Sequence, residues 1–273
     1  MLPSVMRRSP QLTIGSLMLL AVLVAVLVGP AFAPYNPETF HAAARLKGPG
    51  WSYLLGTDQF GRDILSRVLW GGRDTVLFGV AATALGTLLG LAIGVLAGYA
   101  GGRTDQMLMR LMDALMAMPT LLKALLIVTV LGPSNINAML AVAIAFTPGF
   151  ARIVRSTTLS VRQRDYVSAA IARGEGHGYI MVGEILPNVV APVIVEGSIR
   201  VAFAIMVSAT LSFLGLGAQP PSSEWGLMVA EARAFMFLNP WMVVWPSLAI
   251  AFTAVSFNLL GDGLRDALNP RVR

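Results

Sequence analysis

Cysteine is absent from the chain. That excludes a disulfide framework, a thiolate metal centre and a cysteine nucleophile. Histidine is nearly absent: His41 and His177 stand far apart, with no ligand pattern around them, and read as surface residues. Charge is scarce too, at 12% of residues against about 25% in soluble domains. No GxxxxGK[ST] phosphate loop occurs, so the sequence offers no nucleotide cradle of that kind. It also shows no paired carboxylates, no nucleophile–base set and no internal repeat of the sort many secondary transporters carry.

What is present is apolar. Hydrophobic residues make up 56% of the chain and mean hydropathy is +0.71. A water-soluble fold cannot hide that much apolar surface, so the sequence predicts an all-α polytopic membrane protein with six transmembrane helices. The net charge of +6 does not point to nucleic acid. Its Lys and Arg residues are spread between spans instead of forming one basic face, which suits orientation in a lipid bilayer.

The first span is expected at Leu12 to Phe32, after Arg7 and Arg8. Ala31-Phe32-Ala33 mimics a signal-peptide cleavage site. The apolar run, however, exceeds the usual signal core of about 7–15 residues, and Pro34 would follow the cut, so a retained span is predicted. Tyr35 to Thr75 is then extracytoplasmic. Thr57 or Asp58 could cap an interfacial helix with Phe60, Ile64 and Val68 on one face. Val76 to Gly98 is an uncharged span in which Ala82, Gly86, Gly90, Gly94 and Gly98 line one small-residue groove, a surface for close helix packing.

Gly101 to Asp113 reads as a basic cytoplasmic turn, and Leu108 to Leu131 as a third span kinked at Pro119. Lys123 lies within that span. A lysine at a span centre costs about 2.5–3.5 kcal/mol on insertion scales, so it either lines a substrate path or snorkels toward the outer interface. A fourth span begins at Asn137 to Ala151, with Pro148 near its inner end. A fifth is expected from Val193 to Leu216, with Glu196 and Arg200 paired four apart at the inner membrane edge. Ser222 to Asn239 holds a short outer helix, Trp225 and Trp241 read as interfacial anchors, and the sixth span runs from Pro240 to Leu260. This arrangement puts Arg7, Arg8, Arg103, Arg110, Arg152, Arg155, Arg162, Arg164, Arg173, Arg265, Arg271 and Arg273 inside. Only Arg45, Lys47, Arg62, Arg67, Arg73 and Arg233 lie outside, and the bias places both termini in the cytoplasm.

The longest polar stretch between spans is Asp165 to Pro187. A helical run, Tyr166 to Arg173, meets Gly174, Gly176 and Gly178, each costing about 1 kcal/mol in a helix interior relative to alanine. A second run, Tyr179 to Leu186, is expected to stop at Pro187. Two short helices on a glycine hinge would form a cytoplasmic knob for a soluble partner.

These residues resemble a known pattern. Ser168-Ala169-Ala170, three residues, Gly174, then Ile185-Leu186-Pro187 resembles the EAA loop of ABC-importer permeases, with Ser168 in place of its Glu and Glu184 at its apolar position. LGTDQFGRDILSR, GYAGGRTDQMLMRLMDALMAMP, FLGLGAQPPSSEWGLM and NLLGDGLRDALNPR resemble signatures of the dipeptide, oligopeptide and nickel permeases, in particular their C-type subunit.

The resemblance implies a type I ABC importer transmembrane fold in a bacterial cytoplasmic (inner) membrane. It implies a second, B-type permease, two ABC ATPases that use ATP and Mg, and an extracytoplasmic substrate-binding protein as partners. This chain would then need no cofactor and perform no catalysis. Ala169, Ala170 and Gly174 would shape the ATPase-docking helix, and Leu186 and Pro187 fix its exit. Residues 1–75 would form an N-terminal part and 76–273 the permease core, with its coupling loop at 156–192. Peptide is the expected cargo. Nickel or another small solute, an ion-coupled secondary transporter and a membrane-embedded enzyme are the rivals.

Overall fold

The computed structural model describes residues 10–268, so Arg7, Arg8, Arg271 and Arg273 of the charge count lie outside the described residues. The described residues form helices and contain no strand. Five helices are long and apolar enough to cross a membrane, and a bent helix pair makes a sixth candidate. The expected all-helical fold is therefore present, though several element boundaries move.

The first helix, α1, is Pro10–Leu27, followed by a 3₁₀ turn at Gly29–Phe32. Gly29-Pro30 ends the span earlier than composition suggests, since proline brings no N–H to continue a helix. The next helix, α2, runs unbroken over Ile64–Ala100. At 37 residues it is about 55 Å long. The expected interfacial helix and the expected span are thus one rod, and the boundary drawn at 75/76 falls inside it. Its cap is neither Thr57 nor Asp58. Asp63 accepts from the Ser66 N–H at 2.8 Å, and Phe60 lies ahead of the helix.

The glycine groove packs as its spacing predicts. A Cβ at Gly86 would stand 2.8 Å from the Ala143 carbonyl oxygen, one at Gly94 2.6 Å from that of Ala151, and one at Gly98 2.7 Å from Thr158. These contacts seat α2 along the helix Asn135–Arg162, named α5 below, with Phe78, Phe146, Phe150 and Val154 buried between the central helices.

The stretch read as a basic turn plus a kinked span is two helices, α3 at Gly102–Met116 and α4 at Thr120–Leu131. They are bent by 92°. Pro119 stands at the α4 N-cap with ψ 140°. It therefore starts a helix instead of kinking one, and α4, at 12 residues, is only about 18 Å long. α5 begins at a Ser134 cap, contains Pro148 and continues well beyond Ala151. α6 is Asp165–Ala172.

The largest correction concerns Pro187. It does not end a helix. One helix, α7, runs from His177 to Phe213, passing through a π-helical segment at Ile180–Ile185. Pro187 sits in the first α-turn after that segment, where the wider winding accommodates a residue without an N–H. α8, Trp225–Ala232, is the expected outer helix, and α9, Trp241–Leu268, extends the sixth span into the expected tail. Trp225 is not an interfacial anchor. It is buried, and its Nε1–H donates to the Val68 carbonyl at 2.8 Å.

Candidate functional site

The coupling stretch is held from beneath by a few apolar side chains. Val167 and Ala170 of α6 are fully buried against a core that includes Ile180, Ile185 and Val189 of α7. The α6 exit is closed by Arg173, whose N–H donates to Ala169 O, and by Glu175, whose N–H donates to Ala170 O at 3.2 Å. Gly174 lies between them at φ +79° with open space around it. Its requirement is conformational, since left-handed backbone favours glycine.

The expected docking residues thus divide. Ala169 and Gly174 face solvent, Ala170 is buried beneath them, Leu186 is half-buried and Pro187 is exposed. Tyr166, Ile171, Tyr179 and Val182 are also exposed, giving the loop an apolar outer face. His177 is at the surface as expected, and its Nδ1 lies 2.7 Å from the Tyr99 hydroxyl at the end of α2. Arg162 lies over the same tyrosine ring. The stretch Asp165 to Pro187 is therefore pinned to α2 as well as to α5 and α7. The alanines and glycines of the loop pattern identify its inner turn, but the exposed apolar residues carry no motif. His41 departs from expectation: it is half-buried, in edge contact with Tyr35.

Lys123 is buried and does not snorkel. Its Nζ donates to the Ala145 carbonyl of α5 at 3.2 Å. The Glu196–Arg200 pair forms at 2.8 Å. Arg200 reaches further into the helix bundle than an inner-edge position, stacking over Phe146 at 5.2 Å and Phe150 at 5.4 Å.

The layer expected to face outward, α8 and the loop before α2, holds a cluster that sequence reasoning missed. Arg62 Nε lies 2.5 Å from Asp58 Oδ2, and Arg62 Nη2 lies 2.9 Å from Glu231 Oε2. Arg67 Nη1 reaches both acids, at 2.8 and 3.0 Å. Both arginine side chains are 2% exposed, and Arg67 Nη2 also donates to the Ser222 carbonyl. The cluster locks the loop before α2 onto α8. Beside it, Glu224 caps α8 by accepting from the Leu227 N–H at 2.8 Å. Burial pushes the Glu224 carboxyl above the usual carboxylate range, against the pull of its backbone hydrogen bonds.

Comparison with known proteins accords with this architecture. Residues 90–273 match the family described as binding-protein-dependent transport system inner membrane component. The dipeptide transport system permease protein DppC of Alkalihalophilus pseudofirmus is 40% identical, over 95% of this chain and 84% of that protein. The glutathione transport system permease protein GsiD of Pectobacterium atrosepticum is 41% identical, over 92% of this chain and 86% of that protein. A solved structure of the MetNI methionine ABC transporter in inward-facing form superposes with a TM-score of 0.60 at 15% identity, covering 74% of this chain and 97% of that one. That last likeness speaks for the fold alone. With the helical architecture already in place, the chain belongs to the binding-protein-dependent transport system inner membrane components, the membrane-spanning permeases of ABC importers.

Proposed function

We propose that this chain is one permease subunit of an ATP-driven, binding-protein-dependent importer of di- or oligopeptides, with both termini cytoplasmic. It pairs with a second, B-type permease to enclose the path. Two ABC ATPases dock beneath, and an extracytoplasmic binding protein delivers cargo above. The coupling loop, residues 156–192, is the docking element: Ala169, Ala170 and Gly174 shape its turn, while Leu186 and Pro187, already inside α7, carry it from the π-helical segment into the span. The N-terminal part, residues 1–75, runs without a break through α2 into the core, residues 76–273, and Lys123 serves the substrate path. ATP and Mg are used by the ATPases, so this subunit performs no chemistry of its own.

The observation that carries this reading is the coupling loop, seated by buried Val167 and Ala170 and presenting exposed Tyr166, Ile171 and Tyr179. Such a short element with an apolar outer face suits a soluble partner. The peptide cargo is supported by the dipeptide and glutathione permeases to which the chain is similar.

The test is purification of the tagged chain in mild detergent, followed by identification of its companions and an ATPase assay. A second permease, two ATPases and activity stimulated by a peptide-loaded binding protein are expected. A lone chain that transports in liposomes without ATP overturns the proposal.

A further inference from the structure

Two basic side chains reach the same turn of α5 from different helices. Lys123 comes from α4 and gives its Nζ hydrogen to Ala145 O. Arg200 comes from α7 and lies over Phe146 and Phe150. Its guanidinium occupies the space left by a missing side chain at Gly149, where a Cβ would stand 2.7 Å from Nη2. Both α4 and α7 pack on α5, so residues 144–150 form the floor between them. Pro148 in that floor has no N–H to give the carbonyl of Ile144, a residue 39% exposed.

The charges at this turn do not balance. Arg200 Nε is taken by Glu196 at 2.8 Å. Its Nη1 and Nη2 make no hydrogen bond among the described residues. Lys123 is 6% exposed, and among the described residues no carboxylate lies within ion-pair distance of it. One surplus positive charge therefore sits within the helix bundle, a setting in which a membrane protein ordinarily answers it with a partner. The chain does not supply that partner. A free guanidinium edge beside an ammonium suits a carboxylate, which accepts two parallel N–H bonds from the edge.

We propose that Lys123 and Arg200, over the α5 turn 144–150, form an intramembrane way-station for the carboxylate of a passing substrate. Glu196 is a positioning residue: it holds the Nε edge of Arg200 and leaves the other edge open. The ligand class is a small solute that bears a carboxylate. This assignment rests on reading the chain as a peptide-importer permease, but the two fail in different ways.

The experiment uses the complete complex of permeases and ATPases in lipid nanodiscs without binding protein. Saturation-transfer NMR is recorded with L-alanyl-L-alanine, its C-terminal amide and propionate. The wild type is expected to bind the dipeptide and propionate saturably, and the amide about tenfold more weakly, since the amide lacks the charge that strengthens its hydrogen bonds. Lys123→Met, and Glu196→Gln combined with Arg200→Gln, are each expected to weaken carboxylate binding about tenfold, whereas Lys123→Arg retains it. Co-purification of every subunit checks that each variant assembles, and the amide comparison needs no variant. Equal binding of dipeptide and amide, unchanged binding in assembled variants, or no saturable carboxylate signal in the wild type overturns the site. Propionate binding without ATP-driven uptake of the dipeptide in proteoliposomes supplied with the binding protein overturns the peptide reading and leaves the carboxylate site standing.

Discussion

The outer layer and the coupling loop sit at opposite ends of the same helices and are built on opposite principles. At one end Arg62, Arg67 and Asp58 are buried, Glu231 is half-buried, and the four neutralise one another. At the other, the proposed coupling loop keeps its ionic contacts loose: Arg173 lies 3.5 Å from Glu175 and 3.8 Å from Glu184, with the arginine more than half exposed. A buried, paired cluster fixes geometry, because losing one member leaves an uncompensated charge. A solvated loop with an apolar outer face keeps its binding surface for something else. The first region preserves shape, and the second is open to being pushed.

That contrast can be broken most severely at Arg67. Arg67→Met leaves Asp58 and Glu231 short of a cation in a buried setting, so a loss of about 3–5 kcal/mol is expected. Thermal unfolding of the purified complex, followed by tryptophan fluorescence, checks it. A melting temperature equal to wild type would show that the cluster does not hold the outer layer.

At the other end, Gly174→Val forces a β-branched residue into φ +79°, at a cost of about 1–3 kcal/mol. The damage should stay local. Insertion and assembly are expected to be retained, while uptake per ATP hydrolysed falls. Normal coupling in this variant would remove Gly174 from the docking turn.

A smaller effect comes from Glu224. Its carboxyl is raised by burial, so the folded state holds the proton at pH values where the unfolded chain has released it. Stability must then fall as pH rises above the ordinary glutamate value of about 4.3. Unfolding midpoints measured at several pH values upward from there are expected to decline in the wild type and to lose that slope in Glu224→Gln. An identical slope in the two proteins would place the titration elsewhere.

The smallest stability change belongs to Ile171→Ser. Ile171 is 53% exposed, so stability should move by less than about 0.5 kcal/mol, yet recovery of ATPases with the tagged chain should drop. Unchanged recovery would shift the docking face away from α6.

The two ends also differed in how far their sequence revealed them. The α2 groove was legible because Gly86, Gly90, Gly94 and Gly98 repeat with the helix itself, and the packing of α2 on α5 uses that period directly. The coupling loop was legible at its glycines for a related reason, since Gly174 answers a local backbone demand. Pro187 misled because proline's meaning depends on the winding before it. A π-helical segment at Ile180–Ile185 left no mark in the residue pattern, so a helix stop was expected where the helix continues. Pro119 was read as a kink, but the size of the bend comes from what α3 and α4 pack against. The outer cluster was invisible because Arg62 meets Glu231 across 169 positions, and nothing local at either residue predicts the other. Arg200 was placed as half of an i,i+4 pair, which it is. Its stacking on Phe146 and Phe150 required the neighbouring helix.

The unbroken α2 acts as a lever. No proline interrupts Ile64–Ala100, and the rod is tied at one end through Arg67 to the outer cluster and at the other through Tyr99 to His177. Rotating such a rod by about 5° about one end sweeps the other through about 5 Å, given a length of about 55 Å. A small angular change imposed at the Tyr99 end therefore reaches the Arg67 end as a displacement the size of a side chain, in phase and without an intervening joint.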